Sequence, residues 1–115
     1  MVRRFIKSLS HAVSGFGPTF ETQTNFKIQL SAAFLVLVFL LFLRPSPVWW
    51  AIITLTIGGV LAAELFNTAL EQALDLLHPE IHPSVKFAKD ASASAVLVMS
   101  IASLAVFVAL IISSF

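Results

Sequence analysis

Cysteine is missing from all 115 residues. That excludes a disulfide framework, a thiolate nucleophile and any thiolate metal site. Glycine is scarce: Gly15, Gly17, Gly58 and Gly59 are the four. They form no G-x-x-x-x-G-K-S/T loop for cradling phosphates, and the protein-kinase motifs are missing too. Charge is also sparse, at 11% of residues with a net +1, which argues against a nucleic-acid partner. The basic start has no apolar run of signal-peptide length before Lys27, so nothing is expected to be cleaved. There is no internal repeat and no low-complexity segment.

What the chain has instead is apolar surface. Hydrophobic residues make up 58% of it, against about 45–50% in soluble domains, and its mean hydropathy is +0.96. These residues come in blocks. No charge falls between Lys27 and Arg44, between Arg44 and Glu64, or from Ala91 to Phe115. A helix crossing the hydrocarbon needs about 20 apolar residues. The last two stretches meet that length, and Lys27 and Arg44 can snorkel to lengthen the first. The expectation is an all-α membrane protein of one domain, with spans over about 27–43, 47–77 (including a cytoplasmic extension) and 84–114.

The basic residues orient it. Arg3, Arg4, Lys7 and Lys27 precede the first span, Lys86 and Lys89 lie between the second and third, and Arg44 stands alone in the first loop. The positive-inside rule then puts the N-terminus and second loop in the cytoplasm and the C-terminus outside. Trp49 and Trp50 suit the outer interfacial belt. Before the first span, Phe5, Ile6, Leu9, Ala12, Val13 and Phe16 recur at helical spacing, with Arg4, Lys7, Ser8, His11 and Ser14 between them. That pattern predicts an amphipathic helix over about 3–16 on the cytoplasmic membrane surface. Gly15, Gly17 and Pro18 are expected to end it.

The polar residues concentrate in "AELFNTALEQALD", Ala63–Asp75. At 100° per residue, Glu64, Asn67, Thr68, Glu71 and Asp75 share about a third of a helix circumference. Asp75 and Glu71 have the plainer reading of solvated side chains beyond the bilayer. Glu64 lies one residue past the uncharged run, where an ionisable group is costly and marks a functional site by default. The rigid "HPEIHP" connection follows. His78 and His82 have no further His or Cys nearby in sequence, so zinc is not expected. Lys86, Lys89 and Asp90 then open the third span on one helical face, before a run of small residues, Ala91 to Ala95, suited to close helix packing.

A short loop makes spans two and three an antiparallel hairpin, so the acidic stripe can face Lys89 and Asp90. Carboxylate oxygens suit Mg²⁺, which takes one or two of them plus substrate phosphates. A lysine can neutralise phosphate charge during transfer. A carboxylate beside hydrocarbon can accept the proton of a lipid hydroxyl. The chemistry indicated is Mg-nucleotide-dependent modification of a lipid head group.

These residues also resemble a known family. Glu64, Asn67, Thr68, Ala69, Glu71 and Asp75, followed by Lys89, Asp90 and Ala95-Val96, are similar to the signature of the small prokaryotic diacylglycerol kinase/undecaprenol kinase family: E-x-x-N-S/T-A-x-E-x-x-x-D, then a K-D run ending in A-V. The likeness extends to "RRFIKSL" and "NFKIQL". It implies a homotrimer with a surface helix and three transmembrane helices per subunit, and composite sites between subunits. It implies transfer of the ATP γ-phosphoryl group to a lipid alcohol. By the same resemblance Glu64 is the general base, and Glu71 binds metal and nucleotide phosphates. Asn67 and Asp90 position the site, Lys89 meets the transferred phosphate, and Asp75 supports nucleotide binding. Arg4 and His11 cover nucleotide or headgroup. The family often has a second metal-binding glutamate where this chain has Gln23, which keeps an oxygen but not the charge. Glu21 is nearby but about 200° away around a helix. "HPEIHP" and Ala93 look more like the undecaprenol branch than the diacylglycerol branch. The alternative from another class is a non-catalytic small membrane protein, such as a pore-forming or transport subunit whose polar stripe lines a water path. A conducting path needs polar groups through the bilayer, and the outer halves of spans two and three carry only Ser and Thr.

Overall fold

A computed structural model describes residues 1–115 as four helices and no strand: α1 (Val2–Thr22), α2 (Thr24–Leu43), α3 (Pro47–Leu77) and α4 (Pro83–Ser114). The last three are long and apolar enough to cross a membrane.

The helix ends follow from local chemistry. Pro47 and Pro83 stand in the first turns of α3 and α4, where a missing N–H costs nothing. The Nδ1 of His82 accepts the Ser84 N–H at 3.1 Å, so this histidine caps α4. Arg44 ends α2 in a left-handed conformation, φ 50° and ψ 56°.

The first helix departs from its expected bounds. It was expected to stop near residue 16, but α1 runs on through Gly15, Gly17 and Pro18 to Thr22. Neither glycine takes a positive φ, so neither makes a turn. Pro18 removes one backbone donor, the one that would reach Ser14 O, and the helix continues past it. The Thr19 hydroxyl donates to Gly15 O at 2.9 Å and that of Thr22 to Pro18 O at 2.7 Å. The break comes at Gln23, which is extended (φ −107°, ψ 107°) and serves at once as the C-cap of α1 and the N-cap of α2.

The long hairpin of α3 and α4 forms the body. Three contacts set its register, from the middle of the helices to the loop. Gly59 meets the end of the Met99 side chain, Asn67 meets Ser92, and Asp75 meets Lys89. A Cβ added at Gly59 would meet the Met99 methyl, the far end of a flexible side chain. Near the other end, Leu40, Ile53 and Leu110 are buried together and bind α2 to the hairpin, with Trp49, Trp50 and Phe107 packed around them. Phe39 of α2 and Phe107 of α4 lie 5.9 Å apart. Gln29 reaches from α2 to Ser100 of α4 at 3.4 Å. The first helix is tied down only near its end. Thr19 is buried, Phe16 packs edge-on against Phe26 of α2 at 5.1 Å, and residues 1–18 are exposed.

Eight residues are buried in all. The outer faces of the three long helices stay bare, with Phe34, Leu35, Phe42, Leu55, Leu104 and Ile112 all exposed. Bare apolar surface on this scale needs lipid or another protein surface to cover it.

Candidate functional site

The polar face of α3 lies along the loop end of the hairpin. Glu64 and Thr68, one turn apart, are buried at 5% and 9% exposure, while Asn67 and Glu71 are half-buried and Asp75 is exposed. The stripe therefore grades from protein interior to water. With a rise of 1.5 Å per residue, Glu71 stands about 10 Å and Asp75 about 16 Å along the axis from Glu64.

A chain of polar contacts organises this face. The Asn67 amide nitrogen donates to Glu71 Oε1 at 3.4 Å. The Asn67 amide oxygen accepts from the Ser92 hydroxyl at 2.6 Å. The Ser92 oxygen also lies 2.9 Å from Lys89 O, so its single proton serves one acceptor at a time, the nearer being Asn67. Lys89 reaches back across the hairpin to Asp75 in an ion pair. Asn67, Glu71, Ser92, Lys89 and Asp75 thus form one array. Glu64 sits one turn farther in, makes no side-chain hydrogen bond, and has no oxygen sealed away from both water and partners. Its carboxylate has no hydrogen-bond partner within the chain.

Asp90 lies elsewhere. It pairs with Lys86 at 2.7 Å on the outer side of α4, where the two side chains are 64% and 74% exposed. The sequence pattern sets Asp90 beside Lys89 against the acidic stripe; within the chain only Lys89 takes that place. Arg4 and His11 are exposed on α1 and make no ion pair or hydrogen bond to the stripe. Gln23 is half-buried at the α1–α2 junction, and no hydrogen bond links it to Glu71. Ser92 was missed as a site residue: in "DASASA" it reads as a small packing residue. The signal that could have found it is the hairpin register, which puts residue 92 opposite residue 67.

At the same end, His78, Glu80, His82, Lys86, Lys89 and Asp90 help line a cleft of about 360 Å³, within the size range of small-molecule sites. No group of three or more His, Asp or Glu residues gathers in a metal-binding cluster. For Mg²⁺ that is not required, since it binds through one or two carboxylates completed by water and phosphate oxygens. The oxygen donors on this face fit such an ion, with Glu71 the partly accessible carboxylate nearest the lysine-bearing end.

The arrangement offers a carboxylate at the buried end of the face, a second carboxylate bonded to an amide farther out, and a lysine beyond it. The comparisons agree with that chemistry. Residues 10–112 match the family model for prokaryotic diacylglycerol kinase. The chain is 42% identical over 102 residues to an undecaprenol kinase of Bacillus subtilis, covering 89% of this chain and 83% of that one. It is 36% identical over 100 residues to a diacylglycerol kinase of Synechocystis, covering 86% of this chain and 57% of that one. It is 27% identical over 96 residues to a diacylglycerol kinase of Helicobacter pylori, 84% and 75% of the two chains. With nearly its whole length matched, and the carboxylates, amide and lysine set along one hairpin, this chain belongs to the prokaryotic diacylglycerol kinase family of membrane lipid kinases.

Proposed function

We propose that the protein transfers the γ-phosphoryl group of ATP to a lipid alcohol at the cytoplasmic face of the bacterial inner membrane, and that the alcohol is undecaprenol. The observation that carries this reading is the graded polar face of α3: Glu64 at the buried end, Glu71 farther out and Asp75 held to Lys89 at the exposed end. The higher identity to the undecaprenol kinase than to either diacylglycerol kinase supports the choice of lipid. The second reading, diacylglycerol as acceptor, rests on those two relatives.

In this reading Glu64 takes the hydroxyl proton of the lipid as the lipid oxygen attacks the γ-phosphorus. The bond from that phosphorus to the β–γ bridging oxygen breaks, ADP leaves, and the lipid becomes a phosphomonoester. Asn67 holds Glu71 in place and is itself held by Ser92. Glu71 would hold a Mg²⁺ ion together with the nucleotide phosphates, with Gln23 as a neutral oxygen donor from the α1–α2 junction. The ion neutralises phosphate charge when bound. Lys89 leaves Asp75 to meet the transferred phosphoryl group, or holds both at once. Asp90, Arg4 and His11 complete the site from surfaces that one protomer leaves open. A homotrimer supplies such completion, and it also covers the apolar faces of α2, α3 and α4 that lipid does not. The exposed apolar residues of α1, Phe5, Ile6, Leu9 and Val13, lie against the membrane surface. The N-terminus is then cytoplasmic and the C-terminus outside. The test is label transfer from γ-labelled ATP to undecaprenol and to diacylglycerol in mixed micelles. Faster labelling of undecaprenol supports the first reading, faster labelling of diacylglycerol the second, and labelling of neither refutes both.

A further inference from the structure

At the end of the bundle opposite the carboxylates lies a second polar cleft, of about 340 Å³. It forms where the end of α2, the start of α3 and the end of α4 meet, and Arg44, Ser46, Trp49, Ser113 and Ser114 line it. Arg44 is the single charged side chain between Lys27 and Glu64, and no charged side chain follows Asp90. No side-chain carboxylate pairs with it, and both ion pairs lie at the other end.

The backbone singles out the same residue. Arg44 has the one positive φ in the chain, at a helix terminus usually held by glycine or asparagine, which adopt it more easily. An arginine here keeps its guanidinium at this spot despite an unfavourable backbone. Two hydroxyls beside it are free. Ser46 stands at the N-cap of α3 yet makes no capping bond. Ser114 donates to Leu110 O within its own helix, whereas Ser113 has no such bond. A guanidinium offers a planar fork of donors that matches two phosphate oxygens. A lone cation at the hydrocarbon edge calls for a counter-anion. Trp49 and Trp50 mark that edge as interfacial, where phosphate is carried by lipid.

We infer that this cleft binds the phosphate of an anionic phospholipid headgroup. Arg44 takes two of its oxygens, and the hydroxyls of Ser46 and Ser113 donate to the rest. The site is separate from the carboxylate face of α3 and does not depend on the reaction there.

Trp49 and Trp50 are the two tryptophans of the chain and report on this end alone. The full-length protein in phosphatidylcholine vesicles is titrated with phosphatidylglycerol or phosphatidylcholine brominated high on the acyl chain, and tryptophan quenching is read. The expected result is half-maximal quenching at a several-fold lower mole fraction of the brominated phosphatidylglycerol. Arg44→Gly removes the fork while suiting the backbone, and should erase that preference with helix content unchanged. Arg44→Lys keeps the charge without the fork and should retain part of it, as should Ser113→Ala. Equal quenching by the two lipids in the parent protein overturns the inference, and so does a preference that survives Arg44→Gly. Relief of quenching by inorganic phosphate overturns the lipid source and assigns the cleft to a soluble anion.

Discussion

The Ser92 hydroxyl of α4 lies 2.6 Å from the amide oxygen of Asn67 on α3, and the amide nitrogen of Asn67 points on to Glu71. A residue that touches neither substrate thereby fixes the rotamer of one that steadies a proposed phosphate ligand. Removing a neutral hydrogen bond of this kind costs about 1 kcal/mol, or about a fivefold loss in kcat/KM if it is all felt in the transition state. Ser92→Ala should show a loss of up to that size with a melting shift of no more than a few degrees in detergent, and Ser92→Thr should recover part of it. An unaltered kcat/KM for Ser92→Ala means that Asn67 needs no such support.

Asp75 and Lys89 pair across the hairpin on its wet side, where such a pair adds only about 0.2–1 kcal/mol to stability. The pair should matter to catalysis far more than to folding. Lys89→Ala should lower kcat by at least about a hundredfold, the range of a lost charge stabiliser on transferring phosphate. Asp75→Asn should chiefly raise KM for ATP. Neither should shift the melting temperature by more than a few degrees, and a large melting shift with modest kinetic change would show a structural strut instead.

The glycine pair of α3 makes a contrast within two residues. Nothing lies within 4 Å of a Cβ added at Gly58, whereas at Gly59 it meets the Met99 side chain. Gly58→Ala should stabilise slightly through helix propensity. Gly59→Ala should be nearly neutral, because the methionine end can swing away. Gly59→Ile should cost about 1–3 kcal/mol by overpacking and regain most of it when combined with Met99→Ala. Thermal unfolding in one detergent, with all four variants side by side, checks the series.

Gln23 offers a gain-of-function test. As a neutral donor it should leave Mg²⁺ held mainly by Glu71 and nucleotide phosphates, so Gln23→Glu should lower the Mg²⁺ concentration for half-maximal activity several-fold. If the Mg²⁺ dependence of Gln23→Glu matches that of the parent, residue 23 lies outside the metal site.

How much of this was legible in the sequence depended on how local the cause was. Charge-free runs reveal three long apolar helices directly, because membrane length is a counting constraint. The stripe of Glu64, Asn67, Glu71 and Asp75 follows from helical spacing alone. Pro18 misled, since a proline costs a helix only one backbone bond here, and the break falls at the extended Gln23, five residues on. Asp90 and Ser92 misled for another reason. Which of two neighbouring positions on α4 faces α3 is set by hairpin register, and register depends on pairs such as Gly59 with Met99, forty residues apart in sequence. The small-residue run around Ser92 is read equally well as packing, and only its partner on α3 gives the hydroxyl a role.

The account rests on a division of labour along α3, with Glu64 acting on the lipid hydroxyl and Glu71 on the metal–nucleotide. Its most direct test is a paired measurement on purified Glu64→Gln and Glu71→Gln in detergent: label transfer to undecaprenol, and Mg-ATP binding by titration calorimetry. The predicted result is that Glu64→Gln abolishes transfer while binding Mg-ATP as the parent does, whereas Glu71→Gln weakens Mg-ATP binding at least tenfold. Transfer at the parental rate by Glu64→Gln, or equal loss of nucleotide binding in both variants, would contradict it.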